Sequence, residues 1–387
     1  MYAYKIGISA EEHDQFVKNS SQTNLLQSSS WATVKDDWGN ERIGFYKDEK
    51  LVATASILIR PLPLGMTMFY IPRGPVMDYL NQDLVTFVLT SLKKLAKQKR
   101  ALFIKFDPFI LFQHHQIDQE AVQNPDAETI VRHLQTAGCE WVGRTTDMAE
   151  NIQPRFQANI YAKDFSEANL SKKIRQSIRT AKNKGVQVRF GAYELLADFA
   201  DLMKKTEDRK SIHLRGIDYY RKLLDAYPQQ SYITLTTLNL KNRLADLEQE
   251  LETAQKALAN YPETVKPSKI DNTKKDIERL TDEINFLHEE MKNGKETVAL
   301  SGTLSLEFGG TSENIYAGMD EHFRRYQAAI YTWFETANHA FERGNDWQNM
   351  GGVENDLSGG LYSFKSKFKP EIEEMVGEFN LPVSPLY

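Results

Sequence analysis

Between Asn239 and Lys295 the chain carries two runs of heptad-spaced apolar residues, and this stretch limits the possible folds more than any other. Leu240, Leu244, Leu247, Leu251, Ala254 and Leu258 alternate at intervals of four and three. Tyr261, Pro262 and Pro267 interrupt the pattern; Ile277, Leu280, Ile284, Leu287 and Met291 resume it. Apolar residues at this repeat form one stripe on a helix, so the spacing predicts two helices folded back as an antiparallel coiled-coil arm. Roughly 20 residues per helix would extend about 30 Å. Strand-like segments flank it, Tyr232–Leu238 before and Thr297–Leu306 after. A helical hairpin inserted between strands projects from its domain, and a projecting arm suits a large partner.

The remaining chain alternates strand patterns with amphipathic helix patterns, which predicts an α/β (α+β) protein. Its 387 residues suffice for two domains. The expected divisions are residues 1–150, joined by part of a C-terminal strand in 372–387; then 151–238 continued by 297–371; and the arm at 239–296. A helix is expected from Ser30 to Trp38, ended by Gly39. The glycine-rich run from Gly351 to Phe368 reads as a loop.

Several classes are excluded early. No apolar run reaches the roughly 18 residues of a membrane span, and the start of the chain lacks a secretory signal pattern. The single cysteine, Cys139, allows no internal disulfide, so a cytoplasmic protein is the default. Histidines are scattered, so no metal site is expected. There is no phosphate-binding GxxxxGK[ST] and no GxSxG nucleophile turn. Neither half carries the pyrophosphate turn of CoA-dependent acyltransferases. No cofactor is therefore expected.

Four clusters could carry chemistry. Trp31, Lys35 and Trp38 would share one helical face, holding a cation between aromatics; equally, the tryptophans could be core and Lys35 snorkel. From Leu170 to Arg189 there are basic residues and no acidic ones. Lys172, Lys173, Arg175, Arg179 and Lys182 would repel one another unless a polyanion met them, although a solvated basic face is the plainer reading. His213, Arg215 and Tyr219 lie at a helix entry, where they could meet an anion or merely cap. Phe364 and Lys365 set a cation beside an aromatic ring in the glycine-rich run, or stand there as solvated side chains of a loop.

Five segments in this order resemble the Fem family of peptidoglycan-bridge aminoacyltransferases: Phe69-Tyr-Ile-Pro-Arg-Gly-Pro75, Phe106-Asp-Pro108, Ile315-Tyr-Ala-Gly318, Asn349-Met-Gly-Gly-Val353 and Gly360-Leu-Tyr-Ser-Phe-Lys365. The resemblance spans essentially the whole chain and includes the arm. It implies two GNAT-like acyltransferase domains and transfer of an aminoacyl group from tRNA to the stem-peptide lysine of a cell-wall precursor. For MurM-like members of the family the acceptor is lipid II and the donor alanyl- or seryl-tRNA. The resemblance implies that Lys35 and Arg215 contact precursor phosphates, with Trp31, Trp38, Tyr219 and Tyr316 around them. His213 stands where the FemX-type pattern has threonine. Asp107 matches an acid near the acceptor amine, and Phe364 and Lys365 match the pair beside the reacting ester. MurM-like members usually continue in a basic tail, so a shortened C-terminus is implied. The expected setting is a monomer in the cytoplasm, meeting the inner face of the cell membrane transiently.

An aminoacyl-tRNA ester is already activated, so such an enzyme needs no protein nucleophile. Lys365 is the candidate for stabilising the oxyanion, and Asp107, or the substrates themselves, for accepting a proton. Two rivals stay open: a CoA-dependent N-acyltransferase and a non-enzymatic tRNA-binding adaptor.

Overall fold

The computed structural model describes residues 1–212 and 214–387; His213 lies outside the described residues. Two mixed sheets organise the chain. The first has seven strands in the order Tyr2–Ile6, Gly39–Lys47, Lys50–Pro61, Thr67–Arg73, Ala101–Pro108, Phe379–Pro382 and Glu140–Trp141. Within it, Thr67–Arg73 and Ala101–Pro108 run parallel, and a parallel pair needs a crossover. Helix Gln82–Gln98 supplies it, capped by Asn81, whose side chain accepts from the Leu84 amide. Its Leu84, Val88, Leu92 and Leu95 join Phe69, Ile104 and Phe106 in the first core.

The second sheet has nine strands: Gln187–Gly191, Ser231–Asn239, Thr297–Phe308, Thr311–Met319, Trp347–Val353, Phe156–Tyr161, Glu371–Met375, Leu111–Gln116 and Val122–Gln123. Helices Tyr193–Lys210 and Ile217–Ala226 cover Leu235, Leu304 and Leu306 on one face. Helices Lys172–Asn183 and Ala328–Glu342 cover Ala158, Ile160 and Ile372 on the other. Its parallel pair is short: Thr311–Glu313 lies against Trp347–Asn349, and beyond those residues the strands part. The corresponding pair of the first sheet shifts register once, between Thr67 and Phe69, and then stays paired from Phe69/Ile104 to Arg73/Pro108.

The sheets exchange strands. Leu111–Gln116 directly follows the first sheet's Ala101–Pro108 in sequence yet pairs with Glu371–Met375 in the second sheet. Of the C-terminal stretch expected in the first domain, Glu371–Met375 pairs with Phe156–Tyr161 in the second sheet and only Phe379–Pro382 returns to the first. Two local expectations also change. The helix expected over Ser30–Trp38 spans only Ser29–Val34, because Lys35 leaves helical geometry (φ −89°, ψ 50°) and Gly39 opens a strand rather than capping a helix. The run after Gly351 is not all loop: Gly360–Ser366 is a helix whose first turn donates its Leu361 and Tyr362 amides to the Glu354 carboxylate.

The heptad stretch forms helices Leu240–Ala259 and Pro267–Met291, inserted where Asn239 pairs with Thr297. The Leu240 amide donates to the Glu296 carbonyl at 2.7 Å and closes the base. The helices run antiparallel, since Arg243 near the start of one meets Glu283 near the end of the other. Leu240, Leu247, Leu280 and Leu287 enter the second core, whereas Leu251, Ala254 and Leu258 nearer the tip are half-buried. At the base, buried Glu283 accepts from Arg243 (2.8 Å) and the Tyr326 hydroxyl (3.0 Å), with Lys184 at 3.8 Å. Burial alone would raise the Glu283 pKa, but Arg243, Lys184 and Tyr326 outweigh it and lower it.

Candidate functional site

Residues far apart in sequence meet where helix Ser29–Val34 touches the entry of helix Ile217–Ala226. The Lys35 ammonium donates to the Tyr219 hydroxyl at 2.9 Å and lies 5.0 Å from the Trp31 ring centre and 5.2 Å from that of Tyr219. The Arg215 guanidinium also stands against this group, 4.7 Å from the Tyr219 ring, and Tyr316 closes it edge-on. Burial and the neighbouring Arg215 lower the Lys35 pKa. Two cations gathered around one tyrosine ring suit an anion, because a negative charge beside them relieves their repulsion and the partial desolvation of Lys35. The cluster borders a cavity of about 990 Å³ lined by Lys204, Leu214, Arg215, Gly216, Ile217 and Tyr316. Trp38 is separate: with the helix ended at Val34, its ring packs with Leu58, Met68 and Tyr70, and Arg60 lies 5.7 Å over it.

Lys365 is buried, at 7% exposure. Its ammonium donates to the Gly352 carbonyl at 2.6 Å, just beyond the point where the second sheet's parallel strands part. Burial lowers its pKa from 10.5 to about 8; the Glu354 carboxylate works against this and Lys210 with it. Its aromatic neighbour is Trp333, at 6.0 Å, not Phe364. Phe364 is half-buried, edge-on to Trp333, and carries Lys367 over its face at 5.2 Å. Asn314, the first residue beyond the splay, is buried with neither side-chain polar atom paired among the described residues.

Asp107 lies at the end of the first sheet's parallel pair, at 1% exposure. It accepts from the Tyr70 hydroxyl and the Arg73 amide, both at 2.7 Å. Burial raises its pKa to about 6, against the pull of Arg73. Arg73 takes a left-handed backbone (φ 53°), which costs a non-glycine residue energy, and the Asp107 carboxylate holds that turn. Arg73 in turn donates to the Pro154 carbonyl at 3.1 Å. The Pro154 ring fills the space above Gly352, where an added Cβ would fall 2.6 Å from it. Arg73, Pro154 and Gly352 thus join Asp107 to Lys365 across the two sheets. Sequence patterns marked Asp107 and Lys365 but not Pro154 or Trp333, because only the fold brings these together.

The basic helix Lys172–Asn183 is capped by Ser171, whose hydroxyl accepts from the Ile174 amide at 3.3 Å. It buries Ile174, Ile178 and Ala181 and exposes Lys172, Lys173, Arg175, Arg179 and Lys182. A cavity of about 650 Å³ runs from Ser171 and Lys173 to Ser366 and Lys367. The basic helix and the Lys365 helix therefore share one cleft.

Two acyltransferase-type domains in tandem, a splayed strand pair in one of them and a buried lysine at the splay define the class: a tandem GNAT-fold acyltransferase. The FemAB family profile matches residues 8–387, and the chain belongs to the FemAB family. The lipid II:glycine glycyltransferase of Staphylococcus aureus (strain USA300) is 29% identical over 408 residues, covering 99% of this chain and 94% of that protein. The crystal structure of FemX superposes with a TM-score of 0.77 at 27% identity, covering 100% of this chain and 98% of that one. A tandem GNAT protein from the clavulanic acid pathway aligns over 99% of both chains with a TM-score of 0.51 at 6% identity, a likeness of fold. The chain is an enzyme, an aminoacyltransferase.

Proposed function

We propose that this enzyme transfers alanine or serine from aminoacyl-tRNA to the ε-amine of the stem-peptide lysine of lipid II, building the peptidoglycan bridge. The observation that carries the reading is Lys365, buried where the strands part, on a helix that borders the same cleft as the basic helix. The named activity of the S. aureus relative supports lipid II as acceptor. That relative's glycine makes glycine the alternative donor residue.

The precursor's phosphates lie at Lys35 and Arg215, with Trp31, Tyr219 and Tyr316 around them. Trp38 stays outside this shell and supports the wall. The tRNA backbone runs along Lys172, Lys173, Arg175, Arg179 and Lys182, with the arm beside it. The neutral lysine amine of the precursor attacks the ester carbonyl carbon. A C–N bond forms and the carbonyl oxygen takes the negative charge, which the Lys365 ammonium meets. The C–O bond to the ribose then breaks, and the departing ribose oxygen receives the amine's proton. Asp107 need not act as base, since the ribose oxygen takes the proton; its role is to hold the Arg73 turn against Pro154. Positioning two substrates in this way contributes about 7–11 kcal/mol to such reactions. The protein works at the cytoplasmic face of the membrane; no described helix is long and apolar enough to cross it.

The test is direct. Purified protein is incubated with lipid II and, in separate reactions, labelled alanyl-, seryl- and glycyl-tRNA. Label entering the lipid from the alanyl or seryl donor is the expected result. Label from glycyl-tRNA alone would replace the donor assignment, and no transfer from any aminoacyl-tRNA would overturn the reading.

A further inference from the structure

Strand Trp347–Val353 shifts register against Phe156–Tyr161 beside Lys365: Asn349 faces Asn159, but Gly352 faces Gln157. Met350 and Gly351 therefore oppose Ala158 alone, which is a β-bulge. One side chain spans it. The Asn349 amide nitrogen donates to the Gln157 side-chain oxygen at 3.0 Å, and its oxygen accepts from the Gly351 amide at 2.8 Å. The Gln157 nitrogen donates to Glu373 at 3.2 Å, and Glu373 also accepts from Tyr161 (2.6 Å) and Asn159 (3.2 Å). Asn349, Gln157 and Glu373 are all buried. The direction of every amide is set, because one end of this series is a backbone N–H and the other a carboxylate. Gly351 takes φ +93°, and a Cβ there would stand 3.3 Å from the Lys365 ammonium.

We infer that Asn349 and Gln157 are positioning residues that pin this bulge, so that the Gly352 carbonyl faces Lys365 and holds its ammonium at the reacting centre. A relaxed bulge would slide the strand by up to one residue, about 3.3 Å, and remove the carbonyl from Lys365. The inference rests on the role proposed above for Lys365. Among the described residues, the groups facing that ammonium are the Gly352 carbonyl, Glu354, Lys210 and the Trp333 ring, and Asn349 is none of these.

The test pairs a titration with kinetics. Lysine 15N NMR follows Lys365, its signal assigned by its disappearance in Lys365→Arg. In Asn349→Ala the freed ammonium should regain solvent and titrate about one pH unit or more above its wild-type midpoint. kcat should fall about 10- to 100-fold, with the KM for lipid II within about twofold. Asn159→Ala, whose side chain donates to Glu373 but does not span the bulge, should move neither. Gln157→Ala gives the same readout should Asn349→Ala fail to fold. A folded Asn349→Ala or Gln157→Ala with wild-type titration and kcat overturns the inference while leaving the role of Lys365 in place. A shifted titration with unchanged kcat leaves the bulge assignment standing and removes Lys365 from catalysis.

Discussion

Lys365→Met should make the protein more stable and far less active. Burial lowers the lysine pKa from 10.5 to about 8. At about 1.36 kcal/mol per pH unit, that gap means about 3 kcal/mol against the charged side chain in the folded state. Methionine fills similar space without charge, but it leaves the Gly352 carbonyl without its donor, at a cost of about 1 kcal/mol. The variant should therefore gain about 2 kcal/mol at pH 7. The sign follows from linkage. The folded-state pKa lies below the unfolded one, so the cost is full below pH about 8 and is relieved as pH rises from about 8 toward 10.5. Wild-type stability should thus climb across that window relative to the variant. Urea unfolding of both proteins at about pH 7 and about pH 10 covers most of that window and measures it. Transfer assays should show kcat reduced about 100-fold in the variant. A variant less stable at neutral pH, with the same difference in alkali, would refute the idea that a charged lysine is held there against its burial.

Three further outcomes are expected. Arg243→Met should destabilise the arm's base by about 3–5 kcal/mol, because Glu283 is left buried without its main partner; Arg243→Met combined with Glu283→Leu should recover most of it, as read by thermal unfolding. Replacing Lys172, Arg175 and Arg179 by glutamine should weaken tRNA binding and lower the slope of log Kd against log salt by about 0.7–0.9 for each phosphate no longer neutralised, with lipid II KM unchanged. Asp107→Asn should lower the melting temperature, since the amide cannot accept from Tyr70 and Arg73 with both atoms, while kcat per folded molecule stays within about threefold of wild type.

The sequence carried the arm plainly, because a heptad repeat needs no knowledge of what surrounds it. Strand and helix order followed for the same reason wherever one face was apolar, as at Leu84–Leu95. Leu111–Gln116 escaped because Gln113, His114, His115 and Gln116 show no apolar alternation; its pairing with Glu371–Met375 is what makes it a strand. The Ser30–Trp38 helix was overdrawn because Trp31 and Trp38 suit a helical stripe, yet Trp38 packs on the first sheet's outer residues instead. Family motifs marked Lys365 and Arg215, while the neighbours that shape them depend on register. Nothing local announces that Pro154 will sit on Gly352, or that Gln157 will face Gly352 across a bulge.

The exchange of strands between the two sheets has a consequence for synthesis on the ribosome. The first sheet's Ala101–Pro108 gains its second neighbour only from Phe379–Pro382, and Leu111–Gln116 waits for Glu371–Met375. Neither half can complete its hydrogen bonding until residues 371–382 have emerged from the exit tunnel. Through most of translation the nascent chain thus carries two unfinished sheets, with strand sites open to other chains. Folding of the two halves is tied to a single late event, so a chain cut before Glu371 would compromise both domains rather than one.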